Sequence, residues 1–98
     1  MNDKLYFTMG VYEYHYLIRE LPEEAKILLT LDKNCEYITD YFDPAGETVT
    51  RELMFTKSAM EKLMWYLDQN KKDKLFQQIK SNLQKQIDLY IESGEWFQ

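Results

Sequence analysis

The chain of 98 residues has few of the side chains that build metal sites, disulfides and phosphate-binding loops. One cysteine, Cys35, cannot form an internal disulfide, so an oxidising compartment is not implied. One histidine, His15, together with that cysteine is too few ligands for a His/Cys zinc site. The glycines at 10, 46 and 94 are too scattered for a Walker or dinucleotide-type loop. The sequence therefore predicts no metal and no cofactor.

Long hydrophobic runs are also missing. No stretch approaches the roughly 18 consecutive apolar residues that a membrane-spanning helix needs. The apolar run at residues 5–11 is interrupted by Thr8 and Gly10, and no small-residue cleavage pattern follows it, so it does not resemble a signal peptide. These absences favour a cytoplasmic protein with no membrane partner.

Apolar residues instead make up 45% of the chain, a figure that includes the 15% that are aromatic, and charged residues make up another 30%. Apolar content this high argues against disorder, and the length suits one globular domain over residues 1–98. No repeat or linker divides the chain. Its pattern is nevertheless β-rich over residues 1–56 and helical over residues 57–98.

Apolar residues in the first half predict four strands, at residues 5–9, 26–32, 36–42 and 48–56. The segment from Asp43 to Gly46, with proline in second place, predicts a tight turn between the last two. Residues 11–21 fit the spacing of either a helix or a strand. Because tyrosine and isoleucine favour pleated surfaces, we prefer a strand there.

Helical spacing dominates the second half. Ser58 and Glu61 form a capping-box pattern, which predicts a helix start. Two apolar stripes follow, roughly 150° apart around one continuous helix, so a break at residues 70–73 is predicted. The expected fold class is α+β in two layers: an antiparallel β-meander of four to five strands, followed by an αα-hairpin packed on one face.

Charge is distributed unevenly along the chain. Seventeen acidic and twelve basic residues give a net charge of −5. Residues 20–47 contain eight acidic and two basic residues, a net −6, whereas seven lysines and three acids give residues 57–85 a net +4. An acidic segment suits a basic protein partner, such as a nuclease or another nucleic-acid-handling protein. Direct nucleic-acid binding is not expected, because the lysines alternate with acids.

The strand at residues 36–42 has two faces that compete for the core. Burying Ile38 and Phe42 would bury Asp40 between them, which is costly for an unpaired carboxylate. Burying the opposite face would leave Phe42 exposed beside acids. Either arrangement leaves aromatic rings on the sheet surface, and exposed rings rimmed by acids are typical of protein-binding surfaces.

Trp65 points about 150° away from the first helical stripe, so it either packs under the second helix, which we favour, or contacts a partner. Cys35 has an acidic neighbour and is expected to be unreactive. The candidate partner-binding residues are Glu36, Tyr37, Asp40, Tyr41, Asp43, Glu47 and Trp65.

The sequence thus predicts a small, non-enzymatic, acidic binding protein that occludes a basic protein partner. Immunity proteins that neutralise nuclease toxins, and phage-encoded inhibitors of nucleic-acid-handling machines, are similar in size and charge. One alternative is a self-associating scaffold, in which the same aromatic residues form a homodimer. A second is a small enzyme that uses carboxylates, tyrosines and His15.

Overall fold

A computed structural model of the chain describes residues 4–29 and 34–96. Over these residues the protein is α+β, with one three-stranded antiparallel sheet in the order β1-β3-β2 and four α-helices. The elements in chain order are β1 (Lys4–Gly10), α1 (Val11–Glu20), α2 (Glu23–Lys26), a 3-10 turn (Ile27–Leu29), β2 (Cys35–Phe42), β3 (Val49–Thr56), α3 (Lys57–Gln69) and α4 (Lys74–Glu92).

The core lies between one face of the sheet and the helices. In the central strand β3, Leu53 and Phe55 face this side and are opposite Phe7 and Leu5 of β1. Phe7 contacts Phe55 edge-to-face, with ring centroids 6.0 Å apart. The helices contribute the remaining buried side chains, which include Leu17, Leu63, Leu67, Ile79 and Leu83.

The segment at residues 11–21 is not a strand, as predicted, but mostly the helix α1. Tyr14, Leu17 and Leu21 are all buried, and their spacing places them on one side of a helix. A strand would have turned Leu17 away from Tyr14. β1 ends at Gly10, which is the N-cap of α1, so the strand passes into the helix without a loop.

The strand predicted at residues 26–32 is also wrong where the structure describes it. Residues 23–29 form α2 and the 3-10 turn, in which the consecutive residues Leu28 and Leu29 are both buried. Pro22 is the N-cap of α2, and its carbonyl accepts from the Ala25 N–H. The rest of that predicted strand, residues 30–32, lies outside the described residues.

These two changes reduce the four to five predicted strands to three in the described part of the chain. The strands predicted at residues 5–9, 36–42 and 48–56 are present as β1, β2 and β3. The predicted αα-hairpin packed on one face is not confirmed: the described chain has four helices, and α1 also packs on β1 and β3 and contacts α4.

Helix α3 begins earlier than the capping-box pattern indicated. Thr56 is its N-cap, and the Thr56 hydroxyl accepts from the Ala59 N–H at 3.1 Å, so Ser58 and Glu61 do not cap it. The predicted break at residues 70–73 separates α3 from α4, where the Asp73 carboxylate accepts from the Phe76 N–H. Tyr16 of α1 donates to the same carboxylate at 2.8 Å and ties α1 to this junction.

Candidate functional site: the β2 edge

The sheet has two edges, and α4 covers one of them. At the β1 edge, the Thr8 N–H donates to Gln86 Oε1 and the Thr8 carbonyl accepts from Gln86 Nε2, each at 2.8 Å. The Tyr90 hydroxyl donates to the Tyr6 carbonyl at 2.6 Å. The Gln86 amide therefore satisfies β1 as a neighbouring strand would.

Within residues 4–29 and 34–96, no comparable cover lies on β2. Among the described elements, β3 is the one that packs extensively against it. The edge strand β2 and its turn to β3 also hold six of the seven candidate residues, all but Trp65.

A β-bulge decides which way the side chains of β2 point. Cys35 and Tyr37 lie opposite Phe55 and Leu53 on the side that faces the helices, and the register shifts between Tyr37 and Thr39. Asp40 is then opposite Arg51 on that same side. The first predicted arrangement correctly put Asp40 and Phe42 on one side but also put Ile38 there, and the second is wrong; both assumed unbroken alternation. The bulge places Tyr37, Asp40 and Phe42 on the helix side, and Glu36 and Tyr41 on the opposite face.

Asp40 is held by Arg51 and is not a free charge. The guanidinium donates to both carboxylate oxygens, at 2.9 Å from Nε and 3.2 Å from Nη2. The same guanidinium lies 4.9 Å from the Tyr14 ring centroid and 5.1 Å from that of Tyr37. The Arg51 hydrogen bond lowers the pKa of Asp40. This cluster pairs the Asp40 charge internally and holds the guanidinium against both tyrosine rings.

Asp43 holds the hairpin turn between β2 and β3. Its carboxylate accepts from the Glu47 N–H at 2.8 Å and from the Thr48 hydroxyl at 2.9 Å. Hydrogen bonds from Thr48 and Glu47 lower the pKa of Asp43 and keep it ionised. Gly46 has φ of 72°, which a glycine adopts without strain. Asp43 therefore combines negative charge with a structural role, whereas Glu47 is exposed beside it.

Three aromatic residues of β2 are exposed: Tyr37 by 43%, Tyr41 by 53% and Phe42 by 71%. The Tyr41 hydroxyl donates to Glu52 Oε1 at 3.1 Å, and this hydrogen bond raises the pKa of Tyr41. Glu36, also exposed, lies 3.7 Å from the Lys4 ammonium. Rings thus extend from both sides of the edge strand, with acids at both of its ends.

Trp65 lies apart from this edge, on α3, which does not pack extensively against β2. Its ring is 58% exposed and contacts Tyr66 edge-to-face at 5.1 Å. The preference for packing under the second helix is therefore wrong. The structure does not join Trp65 to the six other candidates, and its partner-binding role stays a prediction.

The two rare reactive side chains differ in exposure. Cys35 is buried, and desolvation raises the pKa of its thiol to about 12, which agrees with the expected low reactivity. His15 is exposed on α1 and contacts the Tyr14 ring at 5.6 Å. Within the described residues, no group of three His, Cys, Asp or Glu side chains is arranged to hold a metal ion.

Sequence reasoning missed Arg51 as the organiser of this site and left Phe42 out of the candidate set. A signal for Arg51 was present, because Asp40 needed a cation and Arg51 lies on the same side of its strand as Leu53 and Phe55. No sequence signal located the bulge.

No helix in the described ranges is both long and apolar enough to cross a bilayer. Comparisons with protein-family models, curated proteins and solved structures give no match to this chain.

Proposed function

We propose that this protein is a non-enzymatic binding protein that occludes a basic protein partner with the edge of its sheet. We call this region the β2 surface; it comprises Glu36, Tyr37, Tyr41, Phe42, Asp43 and Glu47. The observation that carries the proposal is an edge strand that no described element covers, with three exposed rings and acids at both ends.

Physical chemistry assigns the two kinds of residue different roles. The rings supply apolar contact area that a partner would desolvate, with little conformational entropy to lose. The acids orient a basic partner and raise its association rate. Residues 34–56 contain five acids and one arginine, which is paired with Asp40, and Lys4 of β1 is paired with Glu36. Within the described residues, no cation forms an ion pair with the other three acids, Asp43, Glu47 and Glu52. The local field is therefore negative.

An inhibitor of the immunity or phage type would act in this way, by covering the basic substrate-binding surface of a nuclease or a related protein. Such a partner presents lysines and arginines where it contacts phosphates. An acidic surface competes for those side chains and needs no chemistry of its own.

The test is quantitative affinity capture from cells of the source, with variants that spare the structural acids. Glu36→Lys/Glu47→Lys reverses two exposed charges and leaves Asp40 and Asp43 in place. Because Glu36 is paired with Lys4, Glu47→Lys alone is measured beside it as the variant that keeps that ion pair. We expect the wild type to capture a basic protein, and we expect the captured amount to fall at least about tenfold with the double variant.

The matched control is Glu61→Lys/Glu92→Lys, which makes the same charge change at exposed positions on α3 and α4. Equal capture by wild type, variant and control would show that the β2 surface is not the binding site. Sedimentation decides the alternative, since a dimer that the β2 surface variant dissociates would favour self-association.

A further inference from the structure

The main chain of β2 directs hydrogen-bonding groups away from the sheet. In an antiparallel pair, bonded and non-bonded residue pairs alternate along the strands. The Asp43 N–H donates to the opposite Thr48 carbonyl, so the next bonded position is Tyr41 opposite Thr50. Asp40 and Phe42 are the non-bonded positions, and their N–H and C=O groups point outward.

The same rule holds at the other edge, where its outcome is visible. Tyr6 and Thr8 alternate with the β1 residues bonded to β3. Gln86 meets the outward N–H and C=O of Thr8, and Tyr90 meets the outward C=O of Tyr6. On β2, Asp40 and Phe42 each direct an N–H and a C=O outward, and no described element packs extensively over them. The Thr39 hydroxyl donates to the Asp40 carbonyl at 3.5 Å, a long contact that leaves the second lone pair of that oxygen for a partner.

We infer that a basic, extended segment of the partner adds to β2 as a fourth strand, paired with the outward groups of Asp40 and Phe42. This inference rests on the proposed function and specifies its mode of recognition. Main-chain hydrogen bonds supply affinity in strand addition, and alternate side chains of the added segment supply specificity. Side chains on one side of the segment would meet Tyr37 and Phe42, and those on the other would meet Tyr41.

Charge favours a basic segment over a second copy of the chain as the occupant of this edge. Antiparallel pairing of two β2 strands would bring the acidic ends, Glu36 of one copy and the Asp43 turn of the other, beside each other. Like charges placed in this way oppose association. A segment rich in lysine or arginine meets the same ends with opposite charge. The bulge at Ile38 limits regular pairing to the stretch after it, so a short segment suffices.

The test uses a displayed library of random twelve-residue peptides, selected on the intact protein. We expect the selected peptides to be enriched in lysine and arginine. We also expect their affinity to fall at least about tenfold with Glu36→Lys/Glu47→Lys and to be unchanged with Glu61→Lys/Glu92→Lys.

The variant that isolates the main chain is Phe42→Pro, compared with Phe42→Ala. Both remove the exposed ring, but proline also removes an N–H that points outward, which an edge strand tolerates. We expect Phe42→Pro to weaken peptide binding about fivefold to tenfold beyond Phe42→Ala, the effect of one hydrogen bond. Circular dichroism checks that both variants are folded.

Peptides methylated at single backbone nitrogens give a second readout that does not depend on the fold of a variant. Strand addition predicts loss of binding at every second position, because alternate N–H groups face β2. A loss without this period, or equal binding by the proline and alanine variants, would overturn strand addition. If Glu36 and Glu47 still controlled binding in that case, the proposed function would stand.

Two further outcomes would also overturn the inference. If the selected peptides contained no excess of lysine and arginine, charge would not explain the choice of partner segment. A wild-type dimer that Phe42→Pro dissociates would assign the edge to a second copy.

Discussion

At the β1 edge, the main chain of Thr8 is bonded on both its donor and its acceptor to Gln86, whereas the main chain of Phe42 at the β2 edge faces outward beside exposed rings. An open strand edge favours unwanted pairing, and folded proteins usually cover or charge it. Here one edge is covered and the other is bulged and acidic. A bulged, acidic edge is expected to resist another copy of itself and still to admit a basic strand, so the difference between the edges is the reason we propose β2 as the partner-binding edge.

The largest effect is expected at the covered edge. Gln86→Leu keeps the size of the side chain but leaves the Thr8 N–H and carbonyl without their partner. We expect it to lower the free energy of unfolding by about 2 kcal/mol, the range for polar groups left unsatisfied at a partly buried site. Urea unfolding measures this. Gln84→Leu, at an exposed position two residues earlier, is the control and should cost under about 0.5 kcal/mol. Equal stability of the two variants would show that Gln86 does not seal β1.

An intermediate loss of stability is expected at the β2 edge, and this loss should depend on pH, unlike the loss at the β1 edge. The folded state lowers the pKa of Asp40 below its ordinary value of about 3.9, through the Arg51 hydrogen bond. The contribution of Asp40 to stability is therefore present above that ordinary value and is lost as pH falls through the lowered one. We expect the stability gap between wild type and Asp40→Asn to be complete at pH 7 and to close below about pH 4.

Gln86 does not titrate, so the deficit of Gln86→Leu relative to wild type should persist over the same pH range. Urea midpoints measured for all three proteins between about pH 2 and 7 compare the two edges directly. A gap for Asp40→Asn that is independent of pH would show that the carboxylate charge does not matter at this edge.

The smallest effect is expected from Phe42→Lys. The Phe42 ring is largely in solvent, so the free energy of unfolding should change by less than about 0.5 kcal/mol. Binding of a hydrophobic dye should fall, because the most exposed of the three rings is gone. A stability loss above about 1 kcal/mol would mean that the ring packs against the protein, and the β2 surface would lose its most exposed member.

The strands and helices with unambiguous periodicity could be located from the sequence. β2, β3 and α4 combine clear spacing with turn or cap residues, and they lie close to their predicted positions. The first helix was missed because the tyrosines alternate as in a strand, while the deciding residue, Leu17, lies outside that alternation. Its burial beside Tyr14 depends on tertiary packing, which outweighs local β propensity.

The error at residues 26–32 has a different cause. A short apolar run such as residues 27–29 has no period that separates strand from helix. The helical signal lay upstream, in a proline followed by two glutamates at residues 22–24, which is a pattern typical of helix starts. In the candidate site, the sequence located the exposed aromatics and acids of β2. It could not locate the bulge at Ile38, and so it could not show that Asp40 turns inward to Arg51.

The contact between Thr8 and Gln86 joins residues 78 positions apart in the chain. During synthesis, β1 emerges from the ribosome long before the helix that covers it. The sheet can pair β1 with β3 once residue 56 is available, but the outer side of β1 stays uncovered until residues 86–90 have emerged. For that interval the nascent domain exposes two open edges, of which only one carries a bulge and acidic ends. The β1 edge therefore depends for its cover on a segment far away in the chain, whereas the β2 edge carries its bulge and acids within its own hairpin.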